Sequence, residues 1–490
     1  MSILQQLHER FTHHSGFMCK QLKLQGNTIS ILFISQLTDD KLMDDEVLRY
    51  IQLATPFDGS KEITPESLLN HIPLKEAIHT GDIEDISLKL LQGWCFVYVS
   101  DGTAGTPDST DSTDSTGLLL NTAASHGRAL SKAEIESHVF GSQVAFVEDL
   151  TTNIALIYKL LPDMNLHIEQ TELGPTTKTK VSLMYLHGKA DECTVRLLKQ
   201  RLSKLKAIDG IMDCLKLAQL LDDSTLTLFP TMLHTERPDS VSKNLLDGKI
   251  AFIVDGSPFA AICPISLFEF FQVATDIYQR WNLGLLLRML RMCAMFASIF
   301  ATSFYVAAIT YHYHVLPSEL LITLIHSHSK VPFPPVVEAL LLETIVELLR
   351  EAGVRLPTKV GQTMGIVGGI VIGQAAVEAG FVSNVLLMIV ALGALASFTI
   401  PNFAMGNTLQ VIRYPFIILA GMWGGIGIAV GLCFLTLHLV QQTSVGRPYL
   451  QTKQLILGKM EQESTTPFLS KAVNTQIGAY PNQRNKDFLE

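Results

Sequence analysis

The sequence predicts an N-terminal α+β or α/β region of two similar subdomains, followed by an all-α polytopic transmembrane bundle and a short polar C-terminal tail. Three observations predict it. Charged side chains are spread through residues 1–290, whereas residues 289–440 hold long stretches almost free of Lys and Arg. Several of those stretches reach the roughly 20 apolar residues that cross about 30 Å of hydrocarbon. Within the first half, one order of β-rich and helical segments occurs twice, as a duplicated unit would show it. The expected boundaries are 1–130, 131–280, 281–442 and 443–490.

The formal net charge of −9 argues against nucleic acid as a partner, because such proteins carry a basic face. The opening stretch MSILQQLHERFTHHSG has no apolar h-region, so the first half is expected to stay on the side where it is made. The seven cysteines, at positions 19, 95, 193, 214, 263, 293 and 433, form no CxxC pair. A disulfide framework and a structural metal site are therefore not expected.

The duplication rests on two echoes. Residues 29–40 (ISILFISQLTDD) line up with 181–192 (VSLMYLHGKADE), each a β-rich run ending in a polar turn before a helical stretch. Residues 93–102 (GWCFVYVSDG) line up with 248–256 (GKIAFIVDG), each a strand ending in Asp-Gly, a dipeptide that suits a tight hairpin. Between them, residues 194–208 carry Val195, Leu198, Leu202 and Leu205 at helical spacing, with Arg196, Lys199, Arg201, Lys204 and Lys206 around the rest. That basic surface is either solvated or in contact with acidic lipid or a partner. Residues 101–117 (DGTAGTPDSTDSTDSTG) are of low complexity and build no core. Ser131 and Glu134 have capping-box spacing and predict a helix start. There is no phosphate-cradling loop, nucleophile elbow or clustered His and carboxylate motif, so no catalytic residues, metal ligands or cofactor are assigned.

The membrane half divides into spans at about 289–311, 360–379, 381–400 and 411–440, with a re-entrant or interfacial element over 315–352. Arg280, Arg288 and Arg291 crowd the start of the first span, which puts the N-terminal half on the cytoplasmic side. Histidines 312, 314, 326 and 328 follow, in a segment read as loop; they are either ordinary loop histidines or two HxH metal pairs. Glu343, Glu347 and Glu351 then recur every fourth residue of one helix. Three carboxylates on one stripe are costly against lipid, so that helix is expected at an interface, lining a watery vestibule, or packed inside an oligomer.

Residues 360–379 (VGQTMGIVGGIVIGQAAVEA) are the most informative. Gly361, Gly365, Gly369 and Gly373 form a GxxxG ridge that permits close helix contact. Thr363, Val367, Ile370, Gln374 and Glu378 fall on the opposite face, an apolar waist between polar groups. Such a face suits either a pore lining that gates by dewetting or a tightly packed core helix. Gly421, Gly425, Gly427 and Gly431 allow similar packing in the last span. With four spans the tail returns to the cytoplasm; with five it does not.

Seven strings in this chain resemble the A subunits of GerA-type spore germination receptors. They are VAFVED (144–149), TERPD (235–239), DIYQRW (276–281), VPFPP (331–335), ELLREAG (347–353), GQTMGIVGGIVIGQAAVEA (361–379) and ASFTIP (396–401). The resemblance covers residues 140–448 in the family's order, with a looser match before that. The resemblance implies a multi-pass subunit of the spore's inner membrane, with lipid around it. It also implies two partners, a nutrient-binding B subunit and a lipoprotein C subunit, and a homo-oligomer, a pentamer in the family, acting as a nutrient-gated cation channel. Carried onto this chain, it makes 362–378 the candidate pore helix. Two departures stand out: Tyr158 and Leu160 where the family shows arginines, and Gly141-Ser-Gln where it shows Gly-Pro-Lys. The competing readings are a non-conducting scaffold that relays the signal and a secondary transporter. The latter needs inverted repeats that the membrane half does not display.

Overall fold

The computed structural model describes residues 3–24, 27–53, 72–74, 76–100, 117–124, 131–132, 136, 141–273, 276, 280–329, 331–355 and 373–450. They form two compact units: residues 1–225 with 232–264, and 226–231 with the chain from 265 onward.

The first unit is built on two five-stranded sheets. One contains β1 (Phe17–Leu24), β2 (Asn27–Ile34), β3 (Ala77–Thr80), β4 (Trp94–Ser100) and β5 (Gly117–Asn121) in the order β1-β2-β4-β5-β3. After the short pair β6 (Ser131–Lys132) and β7 (Val144–Ala145), the second contains β8 (Leu166–Leu173), β9 (Thr179–Leu186), β10 (Leu233–Thr235), β11 (Ile250–Val254) and β12 (Ala260–Cys263). Its order is β8-β9-β11-β12-β10, the same path taken a second time. Every pairing within the two sheets is antiparallel. The echoed stretches fall on β2 and β9 and on β4 and β11, neighbours in each sheet.

Alternation explains the first core. Ile29, Ile31 and Phe33 of β2 join Cys95 and Val97 of β4 and Leu118 and Leu120 of β5 on one face. Met43, Val47 and Ile51, four residues apart on a helical run with a π-helical middle, cover them. In the second sheet every residue of β11 and β12 is buried. The helix Glu192–Leu205 buries Val195, Leu198, Leu202 and Leu205, the stripe its sequence marks. Asp191 caps it by accepting from the Thr194 N–H at 3.2 Å. Its basic surface is partly engaged, with Lys199 2.6 Å from Glu169 and Arg201 2.5 Å from Asp223. At the β11–β12 turn Gly256 has φ +86°, the left-handed conformation that an Asp-Gly turn supplies. The matching Asp101-Gly102 turn and the low-complexity run from 101 to 116 lie outside the described residues.

One expectation here is corrected. Ser131 does not open a helix: Ser131 and Lys132 pair with Ala145 and Val144, so a strand partner claims their backbone before a cap can form.

The second unit is helical. Its long elements are Trp281–Thr310, Pro335–Arg355, Asn384–Phe398 and Phe403–Gln441, with shorter helices at Ser318–His328 and Gly373–Glu378. Two of them, Asn282–Thr310 and Phe403–Gln441, are long and apolar enough to cross a membrane. The first begins eight residues before the expected start, at Trp281. The expected span at 381–400 is trimmed to the 15 residues of Asn384–Phe398, because Ser383 caps it late and Pro401 follows it. His326 and His328 are not in a loop; they end the helix Ser318–His328.

The last expected span is corrected most. Phe403–Gln441 is two helices meeting at Gly424, whose φ of +59° and ψ of −135° no helix contains. The second arm folds back on the first. A Cβ on Gly431 would come within 2.8 Å of Phe416 Cε1, and one on Gly427 within 2.0 Å of the Leu419 carbonyl oxygen. At the open end, Thr408 donates to the Leu228 carbonyl at 2.6 Å while His438 lies 3.2 Å from the Thr227 hydroxyl. The polar segment after the hairpin begins with a short strand pair. β13 (Thr443–Ser444) and β14 (Arg447–Pro448) pair, and the Tyr449 hydroxyl donates to the Pro230 carbonyl at 2.8 Å.

Candidate functional site

Buried polar side chains cluster in the interior of the helical unit, and helix direction puts them there. The Pro335 helix runs antiparallel to the first arm of the hairpin. Val336 packs where a Cβ on Gly421 would meet it, Glu343 meets Arg413, and Arg350 meets Asn407. The Asn384 helix is also antiparallel to that arm, with Gly393 beside Arg413 and Ser397 beside Gln410. The Trp281 helix runs parallel to it.

Arg413 is the point where all four meet. Its guanidinium donates to Glu343 Oε2 at 2.5 Å, to the Ser298 hydroxyl at 2.9 Å and to the Gly393 carbonyl at 3.4 Å. Thr302 donates to the other Glu343 oxygen at 2.8 Å. Arg413, Glu343, Ser298 and Thr302 are each 4% exposed or less. A charge so deep in an apolar bundle is tolerated only when paired and hydrogen-bonded, and this pair has both.

A second polar set lies nearer the hairpin tip. The fully buried Glu338 accepts from the Ser383 N–H at 2.5 Å, and the Ser383 hydroxyl lies 3.2 Å from that of Tyr305. The other Glu338 oxygen is 3.2 Å from His328 Nδ1, off the line of a hydrogen bond. At the entry to the unit, buried Arg291 pairs with Asp276 and donates to the Phe271 carbonyl at 2.7 Å. It is thus neutralised by the protein and not available as a lipid anchor.

The acidic stripe separates by depth. Glu343 is buried against Arg413, half-buried Glu347 pairs with Arg350, and Glu351 is exposed. Of the wheel residues, Gln374 and Glu378 are exposed on the helix Gly373–Glu378, the Gln374 amide donating to Glu378 at 2.9 Å. Gly373 faces Leu387, 3.7 Å from where its Cβ would stand. Thr363, Val367, Ile370, Gly361, Gly365 and Gly369 lie outside the described residues. Sequence reasoning assigned neither Arg413 nor Glu338 to a site, although Glu338 belongs to the same acidic helix as Glu343. An arginine within an apolar span was the available signal for the first.

Large apolar side chains face outward on the same helices: Phe296, Phe304, Leu395, Phe398, Ile426 and Phe434 are each more than half exposed. Apolar surface outside and paired charge inside define a membrane protein, here attached to a β-rich unit. The chain belongs to the GerA family of Bacillus/Clostridium spore germination proteins, whose model matches residues 5–465. Spore germination protein GerQA of Bacillus cereus is 41% identical over 447 residues, 91% of this chain and 86% of that one. Spore germination protein KA of Bacillus subtilis (strain 168) is 43% identical over 86% of this chain and 75% of its own. Spore germination protein A1 of the same organism is 34% identical over 96% and 94%. The crystal structure of the N-terminal domain of the A subunit of the Bacillus megaterium spore germinant receptor GerK3 aligns with 53% of this chain and 92% of its own. It does so at 24% identity and a TM-score of 0.37, too slight a likeness to carry an argument.

Proposed function

We propose that this chain is the A subunit of a spore nutrient-germinant receptor, and that its helical units assemble around a nutrient-gated cation pore. The observation that carries the reading is the exposed Gln374–Glu378 pair. Arg413, Glu343 and Glu338 are buried among partners, whereas Glu378 stands on an open face. Lipid is a poor neighbour for that carboxylate, and a water-filled path between subunits is a good one. In such a ring Thr363, Val367, Ile370, Gln374 and Glu378 line the path, and Gly361, Gly365, Gly369 and Gly373 seat the adjacent subunit. Val367 and Ile370 keep a resting pore dry.

The family resemblance supplies the rest of the proposal: a B subunit that binds the nutrient, a lipoprotein C subunit, a pentameric ring, and the inner spore membrane with the N-terminal unit in the cytoplasm. Its two sheets of identical strand order are read as two similar subdomains. Nutrient can open the pore only by the difference in its affinity for the open and closed rings. Reconstitution tests the whole. Oligomeric protein in a planar bilayer is expected to pass K⁺, and Val367→Ala to raise the resting leak. An intact ring that stays silent in both forms assigns the chain to the scaffold role instead.

A further inference from the structure

The first unit gathers histidines at one seam, outside the helical site. Residues 13–15 are pinned to β8 of the second sheet. The Ile168 N–H donates to the His13 carbonyl at 3.2 Å, and the Ser15 N–H donates to the Ile168 carbonyl at 3.1 Å. Between these bonds His14 is buried, its Nδ1 2.9 Å from the Tyr158 hydroxyl and its Nε2 3.1 Å from the Met164 carbonyl. His13 remains exposed. On β8, His167 and Glu169 are two residues apart and so share a face.

The donor atoms of His13, His167 and Glu169 all lie within 4.8 Å of one another. The His13 and His167 rings stack with centroids 4.5 Å apart, and His187 stacks on His167 at 5.0 Å. Glu169 is held in place through one oxygen: its Oε1 accepts from the Tyr185 hydroxyl at 2.7 Å and from Lys199 Nζ at 2.6 Å.

We propose that His13, His167 and Glu169 form a binding site for a divalent transition-metal cation of the zinc type. Two imidazoles and one carboxylate are a borderline donor set of the kind that selects zinc over magnesium or calcium, which take oxygen ligands. Three protein ligands leave a fourth tetrahedral position for water. Metal–ligand distances of about 2.0–2.2 Å require the three donors to draw together, and the exposed His13 ring can turn to do so. Lys199 and Tyr185 orient the carboxylate as outer-shell partners do. His13 stands just before β1, at the edge of the first sheet, and the other two ligands are on β8, at the edge of the second. A bound ion therefore ties the two sheets together beside the β-bridge that pairs His14 with Ile168.

The test uses the full chain in detergent, stripped with a chelator and titrated with Zn²⁺ against a chromophoric competitor. One site per chain is expected, weakened at least about 10-fold by His13→Ala and by Glu169→Gln. Co²⁺ should give the visible absorption of a tetrahedral site in the wild type and lose it in both variants. A His312→Asn/His314→Asn control should bind as the wild type does. His13 is exposed, so metal-free His13→Ala should melt with the wild type, which separates lost binding from lost folding. Equal affinity in the wild type and His13→Ala, or no zinc retained by the wild type at micromolar concentration, overturns the assignment.

Discussion

Arg413 shows how one residue can organise a membrane unit. Removing it leaves the Glu343 carboxylate buried beside Thr302 without its ion-pair partner, and an uncompensated buried charge costs about 3–5 kcal/mol. Arg413→Leu is therefore expected to destabilise the helical unit steeply. Glu343→Leu added to it should recover much of the loss, because two well-packed apolar residues often replace a buried ion pair without penalty. A double-mutant cycle on thermal unfolding in detergent measures this. If the double variant is as unstable as the sum of the singles, the two side chains are not coupled. Glu343 was visible in the sequence as part of an acidic stripe, but its partner was not. Glu343 and Arg413 lie on different helices, and helical spacing speaks only of neighbours on the same one.

Among the elements, strands were the most legible. Apolar period-two runs such as 29–33 and 181–185 have a single low-energy fate once a sheet buries them, and the Val195, Leu198, Leu202 and Leu205 stripe has one helical face to bury. The helical hairpin was not legible. Gly421, Gly424, Gly425 and Gly427 look alike in an apolar run, and only tertiary packing shows that the chain reverses at Gly424 and not at its neighbours. A straight helix would separate residues 408 and 438 by about 45 Å. In the hairpin both reach the same short stretch, 227–228. Thr408→Cys with His438→Cys should therefore cross-link through a short bismaleimide, and Gly424→Ala, which forces a Cβ into a left-handed conformation, should reduce the yield. No cross-link in the Gly424 protein would mean the arms do not return.

At the scale of the whole molecule, the reversal decides at which end of the helical unit residues 443–449 lie. The hairpin tip lies at the Thr310 end of the first long helix, where the Tyr311 hydroxyl donates to the Met422 carbonyl at 2.9 Å. Residues 443–449 lie at the other end, where the Leu267 N–H donates to the Tyr449 carbonyl at 3.0 Å. If the helices cross a membrane, His314 and Arg447 stand on opposite sides of it. Cysteines placed at these two positions, on a background lacking the exposed native ones, should react with an impermeant maleimide from opposite faces of sealed vesicles. Labelling of both from one face would remove the crossing. The sequence alone left this parity open, because the element over 315–352 reads either as interfacial or as a fifth crossing, with Arg350 and Arg355 at its end.

The stitching of Ser444 and Tyr449 onto residues 230–231 and 265–267 has a consequence for how the protein is made. The ribosome delivers that strap after every described helix of the unit. The hydrogen bonds from Ser444 and Tyr449 to the carbonyls of Thr231 and Pro230 can therefore form only after the Phe403–Gln441 hairpin has been made.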